Sequence, residues 1–218
     1  MIRLPDKRLQ AVAALVPPGT AADIGCDHGY LICHLVESGR VTKGYACDIS
    51  EPSLQKARRL AERNGLAVSC ICTDGLQGVP ETDTVIAAGM GGELIASIVL
   101  ADERLRAPGK TLVLQPMSRA GQLRIDLYKA GFELVKEQVV CDRGRVYTVM
   151  LATYSGEPKR ISPLMSLVGL VPLSAGEERA LYYEKVLGQL YSQKQGLLAQ
   201  GKDAANIEEL IVEIKKLY

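Results

Sequence analysis

The sequence predicts an α/β protein with a doubly wound, mostly parallel β-sheet followed by an antiparallel helical hairpin. Two observations predict the sheet: apolar runs and helical patterns alternate five times, and two further β-runs then follow one another across a glycine turn. Apolar residues at three- and four-residue spacing near the C terminus predict the hairpin. We therefore expect five strand–helix repeats, with an antiparallel strand near one edge of the sheet.

The composition is that of an ordinary globular protein with no strong charge bias. Of 218 residues, 47% are hydrophobic and 23% are charged, which suits one large domain with an appendage. The 26 basic and 25 acidic residues leave a net charge of +1, so a nucleic-acid surface would have to be a local patch. No apolar run approaches the roughly 18 residues of a membrane span.

The six cysteines follow no regular framework, which predicts a reduced, cytoplasmic protein. Cys70 and Cys72 are spaced like metal ligands, but no second pair exists and the chain has only 2 histidines. We therefore expect cysteines in the core and no metal site.

A glycine turn after the first predicted strand is the first candidate site. A helix is expected over residues 9–16, and the strand follows over residues 21–24. Gly25 and Gly29 come next, and apolar residues at helical spacing predict a helix over residues 30–37. Glycine tolerates positive φ and has no Cβ, so the backbone can turn sharply here and approach a ligand closely.

The spacing of this turn distinguishes two cofactors. A dinucleotide turn needs G-x-G-x-x-G, but Asp27 stands in place of the second glycine, and its carboxylate would repel a pyrophosphate. S-adenosylmethionine (SAM) has no phosphate and carries a sulfonium and an ammonium group, which nearby acids suit. The pattern D-x-G-x-x-x-G, which begins at Asp23, resembles the first motif of SAM-dependent methyltransferases. A nicotinamide-dependent oxidoreductase is the alternative.

Acidic residues also follow the second and third predicted strands. Asp48 ends the second strand, where nucleotide-binding α/β folds place an acid that accepts hydrogen bonds from the ribose hydroxyls. The alternative is that Asp48 caps the helix predicted over residues 52–64, a role that Ser50 could fill instead. Asp74 follows the third strand, and in a SAM fold an acid at this position binds the adenine amino group.

A second glycine-rich strand end lies at residues 89–92, which read Gly-Met-Gly-Gly after a strand predicted over residues 83–88. Three glycines in four positions pack nothing and cost chain entropy, so they indicate close approach of the backbone to a flat ligand. The fifth strand, over residues 111–114, ends in Gln115 beside the same place. Because ligands of doubly wound sheets bind at the carboxyl ends of the strands, we expect these residues to meet.

The composition changes after the last β-run, which is predicted over residues 147–154. Turn residues and prolines, Pro163 and Pro172 among them, then mark a boundary. We expect a catalytic domain over residues 1–156 and a helical hairpin over residues 157–218.

Within that hairpin, the helical pattern begins at Ser174 and turns back over residues 201–203. Its first helix would be about 40 Å long. Two functions remain open for the hairpin: a structural or dimerising coiled coil, or an arm that grips the substrate.

The densest positive charge lies on the helix predicted over residues 52–64. Such a run is usually a solvated helix face, and the alternative is that it contacts phosphate. Together with the basic N-terminal segment, it supplies the candidate phosphate contacts. These are Arg3, Lys7, Arg8, Lys56, Arg59 and Arg63.

Four motifs in combination resemble one known family. They are residues 23–31, Asp48-Ile49-Ser50, Ala88-Gly89-Met90-Gly91-Gly92 and Gln115-Pro116-Met117. With the C-terminal hairpin, they resemble the bacterial tRNA (adenine(22)-N1)-methyltransferases, the TrmK family. The resemblance covers almost the whole chain and implies a Rossmann-like class I SAM-dependent fold. It also implies methyl transfer from SAM to N1 of an adenine in the D-arm region of tRNA.

The strand ends and the resemblance together give the expected site residues. We expect the cofactor to contact Asp23, Gly25, Cys26, Asp27, Gly29, Asp48, Ile49, Asp74, Gly75 and Gly89. We expect catalytic roles for Asp27, His28, Tyr30, Gly89, Met90, Gly91 and Gln115. The expected partner is tRNA, bound by a monomer or a weak dimer. A SAM-binding regulatory or scaffold protein without turnover is the alternative from another functional class.

Overall fold

The computed structural model describes residues 1–171 and 178–217. Its strands are β1 (Gly19–Ile24), β2 (Val41–Asp48), β3 (Val68–Cys72), β4 (Thr84–Gly91), β5 (Thr111–Ser118), β6 (Phe132–Asp142) and β7 (Arg145–Tyr154). Its helices are α1 (Lys7–Leu15), α2 (Tyr30–Glu37), α3 (Glu51–Arg63), α4 (Gly92–Ala101), α5 (Ala120–Lys129), α6 (Pro163–Val168), α7 (Glu178–Ala199) and α8 (Ala205–Lys215). A short 3-10 helix, Glu103–Arg106, precedes β5.

The strands form one 7-stranded sheet in the order β3-β2-β1-β4-β5-β7-β6. The first five pair in parallel, while β7 runs antiparallel to both β5 and β6. One hydrophobic cluster packs α1, α2 and α3 on one face of the sheet, and a second packs α4 and α5 on the other. This arrangement confirms the predicted doubly wound fold with an antiparallel hairpin at one edge.

The prediction of five strand–helix repeats is wrong at the third strand. The chain between β3 and β4 is a loop over residues 73–83, not a helix. Gly75 and Gly78 have φ values of 66° and 69°, which a helix excludes. Arg104 holds the loop from outside, because its guanidinium donates to the carbonyl oxygens of Leu76 at 3.0 Å and Val79 at 2.7 Å.

The C-terminal segment contains a short helix, α6, that the sequence did not predict because its prolines were interpreted as boundary markers. Pro163 was expected only to mark a boundary, but it occupies the first turn of α6, where its missing N–H costs nothing. The Ser162 hydroxyl caps this helix by accepting from the Met165 N–H at 3.0 Å. The expected boundary at Pro172 and helix start at Ser174 lie outside the described residues.

The helices α7 and α8 run antiparallel, as predicted. Lys194 of α7 pairs with Glu208 at the start of α8, at 2.8 Å, and Tyr191, earlier in α7, lies under Lys215 at the end of α8. Contacts later in α8 therefore fall earlier in α7, as antiparallel helices require. The 22 described residues of α7 span about 33 Å.

The first half of α7 packs into a hydrophobic core, whereas its second half pairs with α8 through Tyr191 and Lys194. Its buried residues end at Leu190 and form a third hydrophobic cluster with α6 and α8. Beyond that residue, the side chains of α7 are mostly exposed. The helix therefore has a docked half and a solvent-facing half.

A buried ion pair anchors the docked half of α7. The Arg124 Nη2 atom of α5 lies 2.5 Å from the Glu137 Oε1 atom of β6, and both side chains are 0% exposed. The same nitrogen donates to the Tyr182 hydroxyl of α7 at 2.9 Å, and Arg124 Nη1 donates to the Ser166 carbonyl at 2.7 Å. One guanidinium thus joins four elements.

Among the described residues, every helix is too short or too polar to cross a bilayer. The same part of the chain contains no cluster of three or more histidine, cysteine, aspartate or glutamate side chains that could hold a metal ion.

Candidate active site

The turn after β1 contains three residues with positive φ values. Gly25, Asp27 and Gly29 have φ values of 67°, 50° and 70°. A Cβ on Gly29 would lie 2.7 Å from the Cβ of Ala57 in α3, and one on Gly25 would lie 2.6 Å from the Met90 methyl group. The turn is therefore glycine-rich because neighbouring elements press against its backbone.

Asp48 organises this turn and does not cap a helix. Its Oδ2 atom accepts from the Asp27 N–H at 3.0 Å, and its Oδ1 atom accepts from the Ser50 N–H at 2.9 Å. Ser50 is the N-cap of α3, since its hydroxyl accepts from the Ser53 N–H. The alternative in which Asp48 caps α3 is therefore wrong.

A pocket of about 430 Å³ opens at the carboxyl ends of β1 and β4. Asp23, the glycine turn and Gly89 line it, and Tyr30 lies at its edge. The start of α1 forms a further wall, which the sequence analysis did not assign to the pocket. The ends of β1 and β4 thus meet in one pocket, at the edge of the sheet where the doubly wound fold predicts it, whereas Asp48 and Asp74, at the ends of β2 and β3, do not line it.

Asp23 gives this pocket a buried acidic group. Its residue is 4% exposed. Burial, and next the negative charge of Asp48, raise the pKa of Asp23 to about 7, although the nearby Arg8 guanidinium opposes the shift. The free protein therefore holds a carboxyl group that a bound cation would ionise.

Arg8 was expected to contact phosphate on the surface, but it lines the pocket instead. Its Nη1 atom donates to the Gln115 Oε1 atom at 2.8 Å, and its Nη2 atom lies 3.4 Å from Asp6. One sequence feature could have indicated this location: Arg8 lies in the first turn of α1, where the helix dipole disfavours a cation unless a tertiary partner offsets the cost.

Gln115 lies behind the pocket and holds its wall. The residue is 0% exposed, so it does not reach a ligand directly as a catalytic residue would. Its Oε1 atom accepts from the Gly89 N–H at 3.1 Å as well as from Arg8. Gln115 therefore positions the glycine loop and the arginine together.

His28 and Tyr30 form the rim of the pocket. Their rings meet edge to face with centroids 5.8 Å apart, and Tyr30 is 40% exposed. Lys56 of α3 donates to the His28 Nε2 atom at 2.8 Å, which places a cation at this rim. A flat ring entering the pocket would pass these side chains.

Several predicted site residues lie outside this pocket. Gly91 is the N-cap of α4 and has an ordinary φ of −66°, whereas Gly89 lines the pocket with a φ of 83°. Asp74 and Gly75 line a separate concavity of about 450 Å³ beside α4. The remaining residues also lie apart: Met90 packs toward Gly25, Ile49 is 74% exposed, and Arg3, Lys7, Arg59 and Arg63 lie elsewhere on the surface.

The donor set fits a cationic nucleoside cofactor such as SAM. Asp23, Asp27 and Asp48 surround one turn, and cations rather than phosphates suit that charge. Gly89 lines the pocket without a Cβ, so a ligand can approach its main chain closely.

Comparison with known proteins gives a consistent result. Residues 5–150 match the family model described as a methyltransferase domain. The tRNA (adenine(22)-N(1))-methyltransferase of Bacillus subtilis is 32% identical over 97% of this chain and 92% of its own. The crystal structure of the B. subtilis m1A22 tRNA methyltransferase TrmK superposes with a TM-score of 0.81 at 28% identity, covering 99% of this chain and 96% of the other. The structure of Streptococcus pneumoniae Sp1610, a putative tRNA (m1A22) methyltransferase, in complex with S-adenosyl-L-methionine superposes with a TM-score of 0.83 at 27% identity. The match covers 100% of this chain and 99% of the other.

Proposed function

Because the chain belongs to the family of the tRNA (adenine(22)-N1)-methyltransferases, we propose that it transfers a methyl group from SAM to N1 of adenine 22 in tRNA. The observation that carries the proposal is the acidic, glycine-lined pocket at the ends of β1 and β4. This pocket suits a cationic methyl donor and opens past two aromatic rings toward solvent.

The residues of the turn would hold the cofactor. The Gly25–Gly29 backbone would face it closely, Asp48 would accept from its ribose hydroxyls, and Asp23 would pair with its ammonium group. Asp74, in the loop after β3, would face the adenine where the cofactor extends beyond the pocket to the concavity beside α4. When bound, SAM supplies a methyl group made electrophilic by its sulfonium.

The protein's own contribution to the reaction is mainly positioning. Adenine N1 has a lone pair, so in-line orientation matters more than a strong base. His28 and Tyr30 would frame the base, and the Asp27 carboxylate or the Gly89 carbonyl would accept from its exocyclic amine. Such an acceptor stabilises the positive charge that develops on the ring. The base would first have to leave its stack, at a cost of a few kcal/mol.

We assign the C-terminal segment, residues 157–218, to substrate binding. The solvent-facing half of α7 leaves a surface that the core does not need. Lys56 at the rim, with Arg59 and Arg63 along the same helix, would contact the RNA backbone. RNA of folded tertiary structure is recognised largely through shape and backbone contacts, which suits a chain with a net charge of +1. For an enzyme that acts on tRNA, we infer a cytoplasmic location.

The test is methylation of a tRNA transcript by the purified full-length chain, with the product mapped by mass spectrometry. We expect one methyl group at adenine 22, and none on a transcript that carries guanine there. SAM binding without transfer would indicate a regulatory module instead. Binding of NAD in preference to SAM would indicate an oxidoreductase.

Replacing Asp48 with alanine should weaken SAM binding by about tenfold to a hundredfold. A hydrogen bond to a charged group contributes about 1.5–3 kcal/mol, and the carboxylate also holds the Asp27 backbone. Calorimetric titration of SAM measures the effect. Glu51→Ala, which removes a nearby exposed carboxylate, is the matched control and should bind like wild type. Equal affinities in the two variants would contradict the role of Asp48.

The affinity for SAM should rise with pH around neutrality. If the cofactor cation requires ionised Asp23, whose pKa is about 7, the binding-competent fraction grows roughly tenfold between about pH 6 and pH 7.5. The contribution of Asp23 to the stability of the free protein changes in the opposite direction: because folding raises its pKa, that contribution falls as pH rises from about 4 toward 7. Titrations of SAM across this range check the prediction. Asp23→Asn should remove the pH dependence, and a slope that persists in this variant would assign it to another group.

A further inference from the structure

A second cleft opens where β5 and β7 separate. Their antiparallel ladder ends at the pair Leu114 and Met150, so the end of β5 and the start of β7 are no longer hydrogen-bonded to each other. The space between them, with α7 as its far wall, has a volume of about 710 Å³. It is distinct from the cofactor pocket, and none of the expected site residues lines it.

The α7 wall of this cleft is polar. Lys185, Gln189, Ser192 and Gln193 share one face of the helix at three- and four-residue spacing, and all four line the cleft. Of the buried residues of α7, Tyr182 and Val186 line the inner end of this wall, whereas Tyr183 and Leu187 do not line the cleft. A row of polar side chains facing an open cleft is an arrangement that suits a polar ligand.

The charge of the cleft is positive. Arg119 and Lys185 line it, and a recess of about 350 Å³ that shares Met117 and Lys185 adds Arg145. Within the described residues, no aspartate or glutamate lines either space. Glu93 lies 3.9 Å from Arg119, but both side chains are about two-thirds exposed, so this pair contributes little.

The N-terminus of α5 faces the same cleft. Arg119 is its N-cap in the left-handed conformation, with a φ of 57°, and makes no side-chain capping bond. Ala120 and Gly121, the first residues of this 10-residue helix, line the cleft. Their N–H groups have no intrahelical partner, and the helix dipole favours an anion at this end.

Thr148 supplies an independent indication of a ligand. This residue of β7 is 2% exposed and lines the cleft, yet its Oγ1 atom has no hydrogen-bond partner among the described residues. A buried hydroxyl without a partner is destabilising, and a ligand from outside the chain that bonds to it would remove this cost. Burial, and next the charge of Arg124, also lower the pKa of Lys185, a cost that a bound anion would offset.

We propose that the cleft between the α5 N-terminus and α7 binds a phosphodiester group of the tRNA substrate next to the target nucleotide. The proposal rests on the proposed function. Ser118 at the cleft pairs with Gly91, which belongs to the same glycine loop as pocket-lining Gly89, so the cleft adjoins the loop that would receive the target base. Phosphate contacts of this kind fix the register of the RNA without reading its sequence.

The test measures equilibrium binding of a labelled tRNA transcript to the full-length protein across a range of salt concentrations. Arg119→Asn keeps a residue that tolerates left-handed backbone, and Lys185→Met keeps the aliphatic stem. Each should weaken tRNA binding several-fold and reduce the slope of log affinity against log salt by about 1. Lys129→Gln is the matched control, because this exposed cation lies at the opposite end of α5.

Thr148→Val separates a ligand contact from a structural role. Valine has the same shape and removes the hydroxyl, so the melting temperature should be unchanged or higher, while tRNA affinity falls several-fold with the salt slope retained. SAM affinity should stay at the wild-type value in every variant. The site is overturned if the charge variants match Lys129→Gln, or if Thr148→Val binds tRNA like wild type.

This design keeps the two proposals apart. Wild-type protein that binds tRNA but does not methylate it would overturn the proposed function, and the binding comparison would still decide the site. Wild-type protein that methylates adenine 22, with cleft variants that bind tRNA at the control level, would overturn the site alone.

Discussion

Replacing Glu137 with leucine should lower the free energy of unfolding by about 3–5 kcal/mol, because it leaves the Arg124 charge buried without its partner. The carboxylate also accepts from the Leu170 N–H at 2.9 Å, so the segment that leads into α7 loses an attachment. Denaturant unfolding followed by circular dichroism measures the loss.

Two further variants identify the cause. Arg124→Met combined with Glu137→Leu removes both charges and should recover much of the lost stability, as replaced buried pairs commonly do. Glu103→Leu breaks an exposed ion pair with Arg106 and should cost less than about 1 kcal/mol. If Glu137→Leu costs no more than Glu103→Leu, the buried pair does not anchor α7.

Replacing Gly89 with alanine should reduce the turnover number for methyl transfer by about a hundredfold. Its φ of 83° disfavours any residue with a Cβ, and that Cβ would lie 3.5 Å from the Arg8 guanidinium. The loop would shift to relieve the strain, and misplacement by about 1 Å at a reacting centre can cost this much. Single-turnover assays with tRNA and SAM measure the effect.

Gly91→Ala is the control two residues along the same loop. Its φ of −66° suits alanine, and the new Cβ would meet only the Ser118 hydroxyl at an ordinary contact distance of 3.5 Å. This variant should retain most of the activity. Equal losses in both variants would show that any side chain in the loop is harmful, and the specific role assigned to Gly89 would then be wrong.

The parts that the sequence predicted correctly depend on local chain chemistry. The turn at Gly25 and Gly29 and the acid at Asp48 follow directly from strand-end patterns, because a parallel sheet brings its carboxyl ends together. The comparison with relatives confirms the SAM-dependent methyltransferase family that these motifs resemble. The helix α6 was missed because 6 residues are too few to establish a period.

The parts that the sequence could not supply depend on distant contacts. Arg8 and Gln115 are 107 residues apart, so neither motif reveals that they share a hydrogen bond. Thr148 gives no sequence signal at all, since an unpartnered hydroxyl is defined only by what surrounds it. The alternation of strands and helices predicted a helix after β3 that the left-handed turns at Gly75 and Gly78 exclude.

The attachment of α1 has a consequence for the order in which the nascent chain can become active. This first helix is held by Gln115, by Asp142 through the Lys7 N–H, and by Gln138, whose amide donates to the Ala11 carbonyl. All three partners are synthesised more than 100 residues later. On the ribosome, α1 therefore gains its last two attachments only when β6 has emerged, and a fragment that ends after β5 would have the hydrogen bond from Arg8 to Gln115 but would lack the contacts of α1 with Gln138 and Asp142.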